Sequence, residues 1–452
     1  MNRAARTDSW STACGTRKNY WRSILKSSTT ASATVLPETP PSSPTAKPAG
    51  LTFILICVFI DVLGIGLALP VLPILVGEFV EGRDLQAYWF GILATVFGLM
   101  QFLCMPILGA ISDKVGRRPV MLYSMAGMFL NFLATAWAPT LALLFIGRFI
   151  GGMSSASMSV ASAYASDVST PENRAKSFGM IGAAFGMGFI FGPMLGGFLG
   201  SISLRLPFYV AAGLCAANFI FGYFFVPESL PKEKRMAFSL ARANPFSALL
   251  RLAKRPDIRG LVAVFALVTL AAVMLQTTWV LYTNFRFNWG PRDIGISLFC
   301  VGLTAVVVQA GLLGWLIKRF GEVKLSLIGL ASGAIVYVLY GLATQGWMMY
   351  VFILCNVLSF AVGPALQAIV SKATDPGEQG ALMGSLQSLS SLSIVVVPVI
   401  GTGILATVSH LPANDWRMGT TFFLSAILQT IALYVAWRYF ATHRTIKPPV
   451  TA

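Results

Sequence analysis

Residues 109–119 read GAISDKVGRRP and separate two long apolar runs. The stretch packs one acid and three bases into a short turn, and its glycines permit close backbone approach. A loop that only fixes membrane orientation would explain the three bases, but it would not explain the Gly–Asp–Gly spacing. We therefore interpret Gly109, Asp113, Gly116, Arg117 and Arg118 as a cytoplasmic gate motif, in which Asp113 lies near a helix N-terminus and binds an arginine.

The two apolar runs belong to a series of twelve. Six fall at about 51–76, 87–109, 119–138, 140–163, 177–200 and 206–226, and six at about 260–284, 294–317, 324–344, 347–370, 380–408 and 418–438. A helix needs about 20 apolar residues to cross a bilayer. Of the 452 residues, 56% are hydrophobic and 11% are charged, whereas roughly a quarter are charged in soluble proteins. The sequence predicts an all-α membrane protein with twelve transmembrane helices.

The two sets of six runs look like repeats of each other. The residues at 109, 113 and 116 recur as Gly314, Lys318 and Gly321 after the eighth run, at an offset of about 205. A second match, between 172–179 and 378–384, has nearly the same offset. Two parallel six-helix repeats resemble the major facilitator fold. That resemblance implies a substrate site near the membrane midplane, between the halves.

The distribution of basic residues predicts the orientation of the chain. About 27 of the 33 lysines and arginines fall on one set of loops and the two ends, and about five on the opposite set. This positive-inside pattern predicts that both termini are cytoplasmic. It also explains the net charge of +16 without a nucleic-acid partner.

Five segments are predicted along the chain. They are a disordered cytoplasmic tail at 1–50, a six-helix half at 51–226, a cytoplasmic linker at 227–259, a second six-helix half at 260–438 and a cytoplasmic tail at 439–452. The first tail is rich in Ser, Thr, Pro and Arg, which is typical of disorder. An organellar transit peptide and an over-extended start are the alternatives for this tail.

Two ionisable side chains lie deep inside apolar runs. Asp61, in the first run, is the only one of 17 acids that falls well inside a span, and Arg148 lies in the fourth run. A charge at membrane depth is costly unless it is paired or hydrated, so both residues are candidates for function. We interpret Asp61 as the proton-coupling acid and Arg148 as its electrostatic partner. A structural ion pair and an uncharged, hydrogen-bonding Asp61 are the alternatives.

The sequence gives little support for enzyme or metal chemistry. His410 and His443 fall outside the spans, and the six cysteines form no CxxC pair. An intramembrane enzyme would need paired acids, a Ser/His set or metal ligands at membrane depth. We expect no catalytic residues, no metal site and no cofactor, while a receptor that does not transport stays compatible with the sequence.

The fifth run carries small residues at helical spacings. They are Gly179, Gly188, Gly192, Pro193, Gly196 and Gly197. Small residues allow close helix contact and a proline bends a helix, so a plain packing face would explain them. Their full spacing nevertheless resembles the motif that separates antiporters from other major facilitators.

Polar residues in two other runs are candidates for the lining of a substrate cavity. They are Gln276, Thr277, Trp279 and Tyr282 in the seventh run and Gln367 in the tenth. Polar groups at this depth also bridge helices, so a purely structural role is the alternative.

Seven stretches look like the tetracycline:proton antiporter family of major facilitators. They are DVLGIG at 61–66, SDKVGRRP at 112–119, AYASD at 163–167, FGPMLGG at 191–197, VPES at 226–229, IGISL at 294–298 and GPALQA at 363–368. The resemblance covers roughly residues 51–438. It implies the major facilitator fold, the bacterial inner membrane, and export of a metal–tetracycline complex in exchange for protons.

The chain departs from that family at three positions. Asn131, Ala305 and Gly333 stand where the family carries an acid, a histidine and an acid. We therefore expect proton-coupled efflux of an amphipathic small molecule by alternating access, with tetracycline as a less favoured substrate. Small molecule, protons and lipid bilayer are the expected partners. The alternative is a major facilitator that imports a sugar or metabolite, which the antiporter-like spacing in the fifth run argues against.

Overall fold

The protein is helical throughout the part of the chain that the structure describes. The computed structural model describes residues 48–170, 172–239, 244, 246, 258–372 and 379–442, and within these ranges there is no strand. All of them belong to one compact unit that spans residues 47–452. The prediction of an all-α protein is confirmed. Most of the first predicted tail, and residues 443–452 of the second, lie outside the described residues.

Eight helical segments form the first half. They are α1 (Pro48–Ala68), α2 (Leu72–Val76), α3 (Arg83–Val115), α4 (Arg117–Trp137), α5 (Leu141–Ser154), α6 (Ser157–Val168), α7 (Arg174–Ile202) and α8 (Leu206–Phe225). The short α2 follows the end of α1, and α5 with α6 forms the fourth predicted run. Each of the six runs therefore becomes a helix or a broken helix.

The second half repeats this plan. It contains α9 (Arg259–Phe287), α10 (Pro291–Val306), a π-helical segment (Val307–Leu312), α11 (Leu313–Leu342), α12 (Gly346–Cys355), α13 (Val357–Phe360), α14 (Val362–Lys372), α15 (Gln379–Val408) and α16 (Thr420–Thr442). Two short 3-10 segments, Lys232–Lys234 and Trp416–Gly419, lie in connections.

The number of membrane spans depends on how one long stretch is divided. Ten described helical stretches are long and apolar enough to cross a membrane, and a bent pair, Gly346–Cys355 with Val357–Lys372, makes eleven. One of the ten, Pro291–Leu342, has 52 residues, although a bilayer core of about 30 Å needs only about 20. Gly321 interrupts it with a φ of 73°, which glycine adopts without a steric penalty. Dividing the stretch there would bring the count to twelve, the number that the sequence predicts, and this number stays a prediction.

The two halves pack tightly at one end of the bundle. We call the end that carries residues 109–119 the gate end, and the opposite end the far end. Towards the far end, a Cβ on Gly197 of α7 would lie 2.8 Å from the Cα of Gly295 of α10. On the other side of the bundle, the Thr95 hydroxyl of α3 donates to the Val395 carbonyl of α15 at 3.2 Å. Backbone contact of this kind is possible because small residues line the interface.

The halves separate towards the gate end. A Cβ on Gly179, Gly182 or Gly186 of α7 would meet no atom of the described residues within 4 Å, and the same is true of Gly314 in α11 and Gly384 in α15. All five glycines lie in the gate-end part of their spans. The contacts between the halves at Gly91, Gly197 and Gly200 all lie in the far-end part of their spans, so we interpret the structure as a conformation that opens at the gate end.

Candidate transport site

The fourth span is broken at the depth of Asp61. Helix α5 ends at Ser154 and α6 begins at Ser157, and the connecting N–H groups of Ser155 and Ala156 bond to the carbonyls of Gly152 and Ser154 instead of continuing the helix. The local sequence GGMSSAS at 151–157 explains the break. Glycine has a low helix propensity, and serine side chains compete for backbone hydrogen bonds.

Asp61 lies in the interior of the first half, with Asn218 as a hydrogen-bond partner and the Ser157 hydroxyl close to its carboxylate. Its side chain is 6% exposed. The Asn218 amide of α8 donates to Asp61 Oδ1 at 2.8 Å and also to the Cys57 carbonyl at 3.0 Å. Asp61 Oδ2 and Asn218 Oδ1 are buried and have no hydrogen-bond partner among the described residues. Asp61 is also the only acid among the described residues that is buried.

Asp61 lines a cavity of about 120 Å³ that lies within the first half. Three uncharged polar side chains line it as well, namely Gln101 of α3, Ser155 at the helix break and Ser157 at the start of α6. The Gln101 amide donates to the Ser155 hydroxyl at 3.0 Å. The break in the fourth span therefore supplies hydroxyl groups to a cavity that otherwise has an apolar wall.

Arg148 is buried near this region but does not contact Asp61. Its guanidinium lies 5.4 Å from the ring centre of Phe97, and no ion pair within 4 Å joins it to Asp61. Its Nε and Nη2 have no partner among the described residues. Arg286, by contrast, donates to the carbonyls of Ala343 and Asp415. The predicted pairing of Asp61 with Arg148 is absent from this conformation, and the role of Arg148 stays a prediction.

The predicted gate motif forms a hydrogen-bonded network at the gate end. Asp113 lies in the last turn of α3 rather than in a loop, and its carboxylate accepts from Arg117 Nη1 at 2.6 Å. Arg117 Nε also donates to Asp167 of α6 at 3.0 Å. Arg118 donates to the Tyr223 carbonyl. Asp113 therefore contacts an arginine at the N-terminus of the next helix.

The carboxylate of Glu228 caps the helix that follows the motif. It accepts the backbone N–H groups of Arg117 at 2.8 Å and Arg118 at 3.2 Å, which are otherwise unpaired at a helix start. Gly116 has a φ of 114°, and a Cβ there would lie 2.3 Å from Glu228 Oε2. Glycine is thus required at 116 both for the backbone conformation and for the space.

The gate network does not bridge the two halves in this conformation. Among the described residues, every partner named above for Arg117 and Arg118 belongs to the first half or to the start of the linker. The Met236 N–H of the linker donates to the Asp113 carbonyl at 3.0 Å. Any contact of this network with the second half would have to form in another conformation.

The small residues of the fifth span face two different neighbours. A Cβ on Gly188, Gly192 or Gly196 would lie within 3 Å of atoms of α1, whereas one on Gly197 would meet α10 of the second half. Pro193 lies inside α7 between them. Gly179 has no neighbour within 4 Å among the described residues. The motif therefore packs α7 against α1 and, at one point, against the second half.

The residues predicted to line a cavity from the seventh span do not share one environment. Trp279 and Tyr282 are buried in an aromatic cluster with Phe422, where Trp279 Nε1 donates to Ser297 and the Tyr282 hydroxyl to the Tyr340 carbonyl. These two residues belong to the packed core, which corrects the sequence interpretation. Large aromatic side chains with one polar atom serve equally well in cores.

The three remaining cavity candidates are more accessible. Gln276 and Gln367 are exposed, and Thr277 is half-buried, with its hydroxyl donating to the Val273 carbonyl at 2.8 Å. Their position leaves the predicted lining role open to test.

Sequence reasoning missed several residues of the site. Asn218 is the only amide side chain in the sixth run, and its polarity within an apolar run was the only sign of a role. Asp167 and Glu228 lie in stretches that resemble the antiporter family, but their contacts with residues 113–118 depend on the fold. The serines at 154–157, next to two glycines, could have indicated the helix break.

Residues 54–398 and 312–451 match the family described as the Major Facilitator Superfamily. The chain belongs to this superfamily. Within it, the chain is 38% identical over 384 residues to the class C tetracycline resistance protein of Escherichia coli, covering 85% of this chain and 95% of that protein. It is 30% identical over 353 residues to major facilitator superfamily domain-containing protein 10 of Homo sapiens, covering 73% of this chain and 76% of that protein.

Solved structures agree with this membership. The crystal structure of the human organic anion transporter MFSD10 matches with a TM-score of 0.63 and 26% identity, over 87% of this chain and all of that one. The nucleoside transporter NupG matches with a TM-score of 0.70 over 86% of this chain and 98% of that one; at 13% identity, this likeness concerns the fold alone. The predicted family and fold are confirmed, and this protein is a multi-pass membrane transporter of that superfamily.

Proposed function

We propose that this transporter exports an amphipathic small molecule in exchange for protons by alternating access. The observation that carries the proposal is Asp61, the only buried acid among the described residues, which lines a cavity at a helix break. Proton coupling needs a group that alternates between charged and neutral forms. A guanidinium such as that of Arg148 cannot be deprotonated for this purpose.

The available driving force is adequate for such an exchange. Each pH unit across the membrane supplies about 1.36 kcal/mol per proton, and each charge moved through 100 mV about 2.3 kcal/mol. One carboxylate supports about one proton per cycle. A cation that leaves as one proton enters would cross without net transfer of charge.

We further propose that the gate network biases the rocking of the two halves. In this conformation Asp113, Arg117 and Glu228 hold the turn between α3 and α4 within the first half. Closure at the gate end would bring the second half towards this turn. Arg117 would then exchange part of its present contacts for contacts with the second half.

The relatives support export over import. Class C, class G and class B tetracycline resistance proteins are 38%, 37% and 34% identical to this chain, and a membrane transporter that protects a cell against a drug does so by moving the drug out. An importer of a sugar or metabolite is not favoured by these relatives. We propose that tetracycline itself is a less favoured substrate, because Asn131, Ala305 and Gly333 replace two acids and a histidine of the family that the chain resembles.

A susceptibility panel in an efflux-deficient bacterial host tests the proposal. The wild-type chain should raise resistance to at least one amphipathic drug, and a protonophore should abolish the effect. The Glu81→Gln variant, which changes an exposed acid at the far end, should behave like wild type, whereas Asp61→Asn should lose resistance. Uptake of a sugar or metabolite driven by the proton gradient, with no drug phenotype, would favour the importer.

The proposed orientation places both termini and the linker on the cytoplasmic side of the bacterial inner membrane. Lys234 in the linker and Asn414 near the far end are both exposed. Single cysteines introduced there, in a variant without the natural cysteines, should label from opposite faces of the membrane. Labelling of both from the same face would contradict the proposed orientation.

A further inference from the structure

Arg148 of α5 carries a positive charge that no described residue neutralises. Its side chain is 8% exposed, and it forms no ion pair with the described residues. Its Nε and Nη2 are buried without a hydrogen-bond partner among them. The Phe97 ring lies 5.4 Å from the guanidinium, but a cation–π contact leaves the net charge in place. A guanidinium stays protonated in proteins, so this charge persists where an uncompensated ion is strongly unfavourable.

Asn131 of α4 is a second buried group without a partner, and it packs beside Arg148. Its side chain is 0% exposed, and neither Nδ2 nor Oδ1 has a hydrogen-bond partner among the described residues. A Cβ on Gly151 of α5 would lie 2.7 Å from Asn131 Cγ, and one on Gly147 would lie 3.3 Å from the Asn131 carbonyl oxygen. Residues three apart on a helix are neighbours, so Asn131 contacts α5 within one turn of Arg148.

We infer that Arg148 and Asn131 form a binding site for one small anion at the contact between α4 and α5. The inference goes beyond the proposed export, and it holds for either direction of transport. The chemistry recognised is a single negative charge, as on a halide ion or a carboxylate. Two sources can supply it, namely a free inorganic anion and the acidic group of a larger ligand.

The polar atoms of this pair suit an anion better than any other ligand. The Nε and one Nη of a guanidinium form an edge of the planar fork that binds carboxylates in a bidentate manner. The Asn131 amide adds a neutral N–H donor. A cation would be repelled by the guanidinium. Water would satisfy the donors but would leave the charge of Arg148 uncompensated.

The residue at position 131 explains why the counter-charge must come from a ligand. The family that this chain resembles carries an acid there, and a carboxylate would neutralise Arg148 from within the protein. The amide of Asn131 has a similar size but no charge. Asp61, the only buried acid among the described residues, forms no ion pair with Arg148, which does not line the cavity of Asp61.

The first arm of the test measures binding of an inorganic anion to the full chain in lipid nanodiscs. Thermal unfolding is followed while sodium chloride replaces sodium gluconate at constant ionic strength, because gluconate is a much bulkier anion. A ligand that binds only the folded state raises the unfolding temperature as its concentration increases. A saturable rise with chloride would assign the site to a free inorganic anion.

The second arm compares an acidic ligand with its neutral amide. The probes are 4-phenylbutyrate and 4-phenylbutanamide, which share one apolar body and differ by one charge near neutral pH. Calorimetry in the gluconate buffer measures both affinities. Binding of the carboxylate at least about tenfold more tightly than the amide would assign the site to the acidic group of a ligand, because hydrogen bonds between charged groups are the stronger ones.

Three variants make both arms specific. Asn131→Asp supplies the counter-charge from within, and Arg148→Gln removes the positive charge, so each should weaken anion binding by at least about tenfold. Arg292→Gln is the matched control and should bind anions like wild type, because Arg292 also lies 5.4 Å from a ring, that of Phe198, but is exposed. If Arg148→Gln fails to fold, Asn131→Asp decides alone, since it restores a charge balance in the interior.

Three results would overturn the inference. They are no response to an anion in either arm, the same anion affinity in Asn131→Asp as in wild type, and an equal loss of affinity in Arg292→Gln. Failure of the proposed function has a different sign, because that proposal rests on Asp61. Loss of drug resistance in Asp61→Asn without any anion response would uphold the exporter and reject the anion site.

Discussion

Each half contains a broken span, and the two breaks differ in geometry and in chemistry. In the first half, the break between α5 and α6 lies next to Asp61. Arg148 lies in α5, six residues before this helix ends at Ser154. In the second half, α12 and the helix that follows it meet at 55°, and Asn356 at this break is buried with Oδ1 unpartnered among the described residues. Gln429 of α16 is a second buried side chain of this half that carries a neutral amide.

This difference teaches where an ionisable group can be accommodated. Gly333 of α11 stands where the family that this chain resembles carries an acid. A Cβ at this position would lie 2.8 Å from Gln429 Nε2 and 2.8 Å from Ser359 Oγ. A larger side chain would require these neighbours to move. In the second half, neutral polar side chains therefore occupy the space in which an acid would stand, which supports our proposal that proton coupling depends on the first half.

Removal of the acid at Asp61 should have the largest effect. Asp61→Asn is expected to abolish uphill efflux and to spare downhill counterflow of substrate, because the amide keeps the shape but cannot exchange a proton. The matched change in the second half, Asn356→Ser, should keep efflux driven by a pH gradient. Transport assays in proteoliposomes measure both.

An Asp61→Asn protein that still concentrates substrate by pH alone would break the comparison between the halves. It would direct attention to an acid nearer the surface. Glu78, which pairs with Arg205 at 3.4 Å, and Asp167, which pairs with Arg117 at 3.0 Å, are the first to examine.

Disruption of the gate network should slow transport without changing substrate affinity. Asp113→Asn and Arg117→Cys are each expected to lower turnover by about tenfold or more, since a hydrogen bond to a charged group contributes about 1.5–3 kcal/mol. Lys318, at the position of Asp113 in the repeat, is exposed, and Lys318→Gln should have a smaller effect. A large loss of affinity with normal turnover would contradict the role of the network.

A methyl group between the halves should destabilise the conformation that is open at the gate end. In Gly197→Ala the new Cβ would lie 2.5 Å from the Pro291 carbonyl oxygen, and overpacking costs about 1–3 kcal/mol. The control on the same helix is Gly182→Ala, which meets no described atom within 4 Å. Labelling of a single cysteine introduced in the gate-end opening should be lower in Gly197→Ala than in the parent protein, and it should be unchanged in Gly182→Ala. Equal labelling of both would mean that this contact does not set the conformation.

The smallest expected phenotype is tetracycline resistance. With Asn131, Ala305 and Gly333 in place, expression in a sensitive host should protect less against tetracycline than against another amphipathic drug. Minimal inhibitory concentrations measured side by side check this. Strong tetracycline resistance at ordinary expression would show that the family's two acids and histidine are dispensable here.

The sequence alone determined the fold class, the family and the depth of Asp61. These follow from properties that are local in the chain, namely the length of each apolar run, the spacing of small residues, and the rarity of an acid within a run. Gly116 is a further case, because the Gly–Asp–Gly spacing indicated a tight turn and the structure has a φ of 114° there.

Only the tertiary structure decided which side chains meet. Asn218 lies 157 positions from Asp61 and Glu228 lies 111 from Arg117, so no local pattern predicts these hydrogen bonds. The same holds for Trp279 and Tyr282, whose composition suits a cavity wall and a packed core equally, and which the surrounding aromatic residues place in the core. Whether Asp61 and Arg148 pair depends on how the helices rotate and break, and that is a property of the packed bundle rather than of either sequence segment.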